Sequence, residues 1–144
     1  MISREKVTKK INQIRKEIQN CRKCSLWKKR KNPVVGEGNV NAKVMFIGEA
    51  PGDKEDLLGK PFVGKAGKLL DELLQYVEFK RSEVYITNIL KCRPPKNRNP
   101  KSAEISACTL YLDRQIENIQ PRILAAPPSK TMPLTLQTFL FNLK

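Results

Sequence analysis

The stretch Lys43–Asp71 limits the possible folds of this chain more than any other. Val44 to Ile47 form a short apolar run closed by Gly48, a turn rich in Gly, Pro and acid follows, and Leu69, Leu70, Leu73, Leu74 and Val77 then recur at helical spacing. The pattern predicts a buried strand, a loop and a helix. Downstream, the β-branched run Glu83–Asn88 predicts a second strand ended by Asn88, and Arg122–Ala126 begins a third. Strands alternating with helices mean an open α/β fold with parallel strands. Ligands of such sheets sit beyond the carboxyl ends of the strands, so Gly48–Phe62 and Asn88 form the candidate site.

Gly48 and Gly52 let a ligand approach the backbone, while Glu49, Asp53, Glu55 and Asp56 give the loop negative charge. Four carboxylates argue against a phosphate cradle, and neither the Lys-Ser/Thr of a Walker loop nor GxGxxG is present. The carboxylates are either catalytic, orienting water or stabilising a cationic sugar, or a solvated acidic turn. Asn88 is either a turn former at a strand end or an amide that reads a base edge.

With 144 residues the chain makes one domain, and 28 Lys plus Arg against 14 Asp plus Glu leave a net charge of +14. An anionic partner follows, nucleic acid first, with plain solubility as the alternative. The chain has no apolar run of membrane-spanning length and no signal-peptide pattern, so an intracellular location and no membrane partner are expected. Histidine is absent. Residues 3–20 read as an amphipathic helix, with Ser3 as N-cap and Val7, Ile11, Ile14 and Ile18 on one face. Twelve basic residues lie between Met1 and Asn32 against Glu5 and Glu17, four of them consecutive at 28–31. Residues 89–101 hold Lys91, Arg93, Lys96, Arg98 and Lys101 with no acid, and their prolines make them a loop suited to phosphate contacts. Asn99 and Pro100 then predict the cap and first turn of a helix that points Cys108 inward and ends at Pro121.

The four cysteines are Cys21 and Cys24, spaced C-x-x-C, and Cys92 and Cys108, separated by fifteen residues. Disulfides fit an intracellular, Lys-rich chain poorly. Zinc sites usually pair two short knuckles, whereas one close pair with two distant members suits a cluster held by Cys ligands alone. Iron-sulfur, zinc and unligated thiols all stay open on spacing.

Taken together, GEAPGDKED at 48–56, GKPFVGKAGKLLD at 59–71, VYITNILKCRPPKNRNP at 84–100 and the order of the cysteines closely resemble the family 4 uracil-DNA glycosylases of thermophilic bacteria and archaea. The resemblance runs from about Cys21 to Leu124. It implies an α/β fold with a doubly wound parallel sheet in a three-layer α/β/α arrangement, and removal of uracil from DNA, in base excision repair, by hydrolysis of the N-glycosidic bond. It implies a 4Fe-4S cluster on Cys21, Cys24, Cys92 and Cys108, with a structural role. Glu49, Ala50, Pro51 and Gly52 would line the uracil pocket, with Glu49 and Glu55 as the catalytic carboxylates. Phe62 would stack on the flipped base, Asn88 would bond its Watson-Crick edge, and Lys91, Arg93, Lys96 and Arg98 would meet the backbone of uracil-containing DNA.

Family members continue past the third strand to a fourth strand and a second motif with a His-Pro pair, whose histidine is thought to stabilise the departing uracil anion. Here the sequence runs into AAPPSKTMPL and reaches Lys144 without a histidine. Residues 1–126 therefore read as a partial glycosylase domain lacking the last strand and helix, and 127–144 as an aberrant tail. Loss of one electrostatic donor predicts excision slower by at least about two orders of magnitude. An uncovered third strand predicts self-association through the sheet edge. The rival classes are an inactive DNA-binding remnant and a zinc-stabilised nucleic-acid-binding module.

Overall fold

The computed structural model describes residues 3–127. Their extended runs build one four-stranded sheet from β1 (Glu37–Gly38), β2 (Val44–Gly48), β3 (Tyr85–Asn88) and β4 (Ile123–Ala125), in the spatial order β1-β3-β2-β4. β2 pairs in parallel with both β3 and β4, while β1 runs antiparallel to β3. The sheet is thus mixed rather than wholly parallel. Its three parallel strands are those the sequence predicts, and β1 lies in a stretch whose Gly, Pro and Asn content reads as loop. Two residues offer no alternation to detect; β1 is instead held by close approach, since Gly38 sits at φ +125 where a side chain would run into the Val84 carbonyl.

Helices cover both faces of the sheet. In chain order they are α1 (Arg4–Gln19), the short α2 (Asp53–Leu58), α3 (Lys65–Tyr76) and α4 (Ser102–Ile119). Side chains alternate across a strand. Met45, Ile47 and Tyr85 accordingly pack with Val7, Ile11, Ile14 and Ile18 of α1 and Leu112 and Ile119 of α4, whereas Phe46 and Ile86 pack with Leu70 and Leu74 of α3. Three layers result. Each buried aliphatic side chain contributes about 1.5–3 kcal/mol, so the apolar stripe of α1 outweighs the mutual repulsion of the lysines on its outer face. An ion pair between Glu17 and Arg114 joins α1 to α4.

Ser3 caps α1 by accepting from the Lys6 N–H at 3.4 Å. α4 starts two residues later than predicted, because the Glu104 carboxylate reaches back to the Lys101 N–H at 2.8 Å and makes Lys101, not Asn99, the cap. β4 occupies one edge of the sheet. The predicted tail lies outside the described residues from position 128 on.

Candidate functional site

β2 and β3 end side by side, with Gly48 opposite Asn88. Their ladder continues one step into the loops, Ile89 N–H donating to Gly48 O at 2.9 Å and Leu90 N–H to Glu49 O at 3.0 Å. Beyond these ends Ala50, Glu55, Phe62, Asn88 and the start of α3 (Gly64 to Ala66) enclose a cavity of about 90 Å³. Its floor is Gly48. A Cβ there would collide with Asn88 Oδ1 and Phe62 Cζ and come within 2.8 Å of Phe62 Cε2, so ring and amide share the space that a side chain would fill. Asn88 is 2% exposed. Its main-chain oxygen accepts from Lys91 Nζ at 2.6 Å, while its side chain borders the cavity. Phe62 is buried and stands at φ +52, in the left-handed region that an aromatic residue seldom occupies.

The loop carboxylates divide by task. Glu55 closes the loop: Oε1 accepts from the Gly52 N–H at 3.1 Å and Oε2 from the Val63 N–H at 2.9 Å. A carboxylate has about four acceptor sites, so two bonds leave room for a water on the cavity side. Asp56 is buried and accepts from the main-chain N–H of Lys31 at 2.9 Å and of Asn32 at 3.4 Å, tying the basic segment 28–31 to α2. Asp53 pairs with Arg93 at 3.1 Å. Glu49 is half-buried, and desolvation holds its carboxyl above the usual carboxylate range. Of the pocket residues taken from the resemblance, Ala50, Glu55, Phe62 and Asn88 are brought together; Glu49, Pro51 and Gly52 are their chain neighbours but do not border the cavity. Gly64, Lys65 and Ala66 do border it, and the helical period starting at Lys65 was the signal that could have found them.

The four thiols line a second cavity, completed by Ile18, Leu26, Trp27, Leu90 and Tyr111. All four are free cysteines. Arg30 Nη1 donates to Cys92 Sγ at 3.2 Å, and the Lys91 N–H donates to Cys108 Sγ at 3.3 Å. Burial pushes Cys108 up to about 11 and also raises Cys92, against the opposing pull of Arg30. Thiolates here need a compensating positive charge such as bound metal supplies. Among the described residues no group of three or more His, Cys, Asp or Glu side chains is arranged to hold a single metal ion.

The basic loop needs one correction. Lys91, read from the sequence as a contact to the DNA backbone, is 1% exposed, and its ammonium donates to Thr87 Oγ1 at 2.6 Å, Asn88 O at 2.6 Å and Gln115 Oε1 at 2.8 Å. A phosphate has no access to it. Burial brings its pKa down to about 7. Arg98 makes a two-pronged bond to Glu104, at 2.8 Å on each side, and holds that carboxyl below its usual range. Arg93 engages Asp53 and, at 2.7 Å, Asn97 Oδ1. Lys96 is exposed. No helix of the described residues is long and apolar enough to cross a membrane.

Comparison with known proteins gives a consistent picture. The family model described as the uracil DNA glycosylase superfamily matches residues 35–137. The chain is 56% identical over 115 residues to a type-4 uracil-DNA glycosylase of Saccharolobus solfataricus, covering 79% of this chain and 53% of the relative. It is 53% identical over 114 residues to the type-4 enzyme of Archaeoglobus fulgidus, covering 79% and 57%. With the type-4 enzyme of Thermotoga maritima the identity is 44% over 126 residues, covering 88% and 64%. The chain therefore spans between about half and two thirds of these relatives' lengths.

Proposed function

We propose that this chain, which belongs to the uracil DNA glycosylase superfamily, binds DNA and releases uracil by hydrolysing its N-glycosidic bond, an intracellular step of base excision repair. The observation that carries the reading is the shared cavity of Phe62 and Asn88 over Gly48. A base must leave the stack to enter such a cavity, and an aromatic face returns part of the stacking it loses. The Asn88 amide accepts from uracil N3–H through its oxygen and donates to O4 through its nitrogen. Cytosine presents the opposite order. With the amide in that orientation, the rejected base leaves two buried polar groups unpaired. Glu55, fixed by two backbone bonds, orients the attacking water, and the Glu49 carboxylate stabilises positive charge developing on the sugar.

Cys21, Cys24, Cys92 and Cys108 hold a 4Fe-4S cluster in this reading. Support comes from the donor set itself: four thiols facing one cavity, with Arg30 and a main-chain N–H directed at two of the sulfurs. When bound, the cluster supplies a covalent tie between the end of α1, the loop after β3 and α4. Arg93, Lys96 and Arg98, with the lysines of segment 28–31, face the phosphates, the two arginines sharing their charge with Asp53 and Glu104.

The test is direct. Purified chain is incubated with matched oligonucleotides bearing uracil, cytosine or thymine, and alkali-labile abasic sites are counted. Uracil-only cleavage is expected; equal, background-level cleavage of all three, with no binding preference for the uracil strand, overturns the reading. Iron and sulfide analysis alongside the visible spectrum tests the cluster, and a colourless zinc protein overturns that part.

A further inference from the structure

We infer that Arg81 is a positioning residue for the aromatic wall of the pocket: it holds Phe62 in its left-handed backbone conformation and couples it to the strand that carries Asn88. This rests on the proposed uracil site and names the group that sets its geometry. Phe62, at φ +52, occupies a conformation that a non-glycine residue keeps only when its surroundings impose it. The surroundings are specific. Arg81 Nη1 donates to Phe62 O at 3.1 Å, and Nη2 donates to Pro61 O at 2.9 Å, so a single guanidinium grips two consecutive carbonyls. Its own direction is set by Asp71 Oδ1 at 2.9 Å and Glu37 Oε1 at 3.5 Å. On the other side α3 lies against the Phe62 carbonyl, where a Cβ on Gly67 would collide with it.

Arg81 belongs to the turn Arg81–Glu83 that leads into β3, and β3 ends at Asn88. The grip therefore ties the ring's backbone to the start of the strand whose far end presents the amide. Lysine cannot replace it, since a point charge lacks the planar fork that two adjacent carbonyls require. A group held only by its neighbours' packing would tolerate that exchange.

The experiment compares wild type, Arg81→Lys, Arg81→Met, Phe62→Ala and the Arg81→Met/Phe62→Ala double variant, each matched for visible spectrum and thermal melt. Two readouts are taken. The first is the three-bond HN–Hα coupling and Cα shift of Phe62, which report positive φ without any reaction. Both Arg81 variants are expected to move these signals; unchanged signals overturn the inference whether or not the chain is active. The second is kcat/KM for uracil release. Arg81→Met is expected to lose about tenfold to a hundredfold, the scale of a misplaced binding group, with Lys recovering only part. In the Phe62→Ala background the same change is expected to cost less than about twofold, because the effect travels through the ring. Equal losses in both backgrounds overturn the inference. Failure of wild type to prefer uracil sinks the functional reading alone, since the Phe62 signals still decide what Arg81 does.

Discussion

In the proposed reaction, Asn88 and Glu49 carry the chemistry at the level of single residues. Replacing Asn88 by Ala removes the only side-chain amide that borders the cavity among the described residues, and we expect kcat/KM on uracil to fall by at least about two orders of magnitude, as for loss of a buried discriminating hydrogen bond. Phe62→Ala is expected to cost about tenfold to a hundredfold, matching the roughly 1–3 kcal/mol of base-aromatic stacking. Glu49 gives a pH signature. Burial raises its folded pKa, so its carboxylate form, the one the sugar cation requires, fills only as pH climbs past a value above 4.5. The acid limb of kcat/KM should lie above the ordinary glutamate value, and Glu49→Gln should flatten it. Asn88 was legible because a polar residue closed a β-branched run opposite a glycine. Lys91 was not: its neighbours Arg93, Lys96 and Arg98 read as a solvated basic loop, and only the continued ladder at Ile89 and Leu90 shows the chain still running inward.

At the level of elements, Lys91 joins β3 to α4 through its three bonds to Thr87, Asn88 and Gln115. Lys91→Met removes the ammonium from all three, leaving Gln115 Oε1 the Thr87 hydroxyl at 3.2 Å, and a loss of about 2–4 kcal/mol is expected in denaturant melts. Glu104 fixes the start of α4. The Arg98 bond lowers its folded pKa, so the stability it contributes is present above the unfolded value of 4.5 and is lost as pH falls through the lower folded value. The Tm gap between wild type and Arg98→Gln should therefore be open at pH 7 and close in acid. Periods of 3.6 and 2 made the helices and the parallel strands readable, since they record which faces are buried. β1 and the true cap of α4 depend on backbone approach and on a Lys-x-x-Glu pair, which hydrophobic period does not register.

Across the whole molecule, charge and metal are the tests. Asp56 fastens the basic segment 28–31 beside α2, on the loop that builds the pocket. Converting Lys28, Lys29 and Lys31 to Ser should lower the slope of log K against log salt for single-stranded DNA by about 2, with uracil preference intact, because each lost phosphate contact removes about 0.7. For the proposed cluster, stripping iron with a chelator should bleach the visible band it would give and destabilise the fold by about 2–5 kcal/mol, the scale of removing a covalent staple.

Gly48 has one more consequence. The seating of ring and amide side by side is permitted there by an atom that the chain lacks, so a scan that only trims side chains would pass over the position. A single added carbon at that site would push the ring and the amide apart, so even alanine should misalign both walls at once rather than narrow the pocket by degrees.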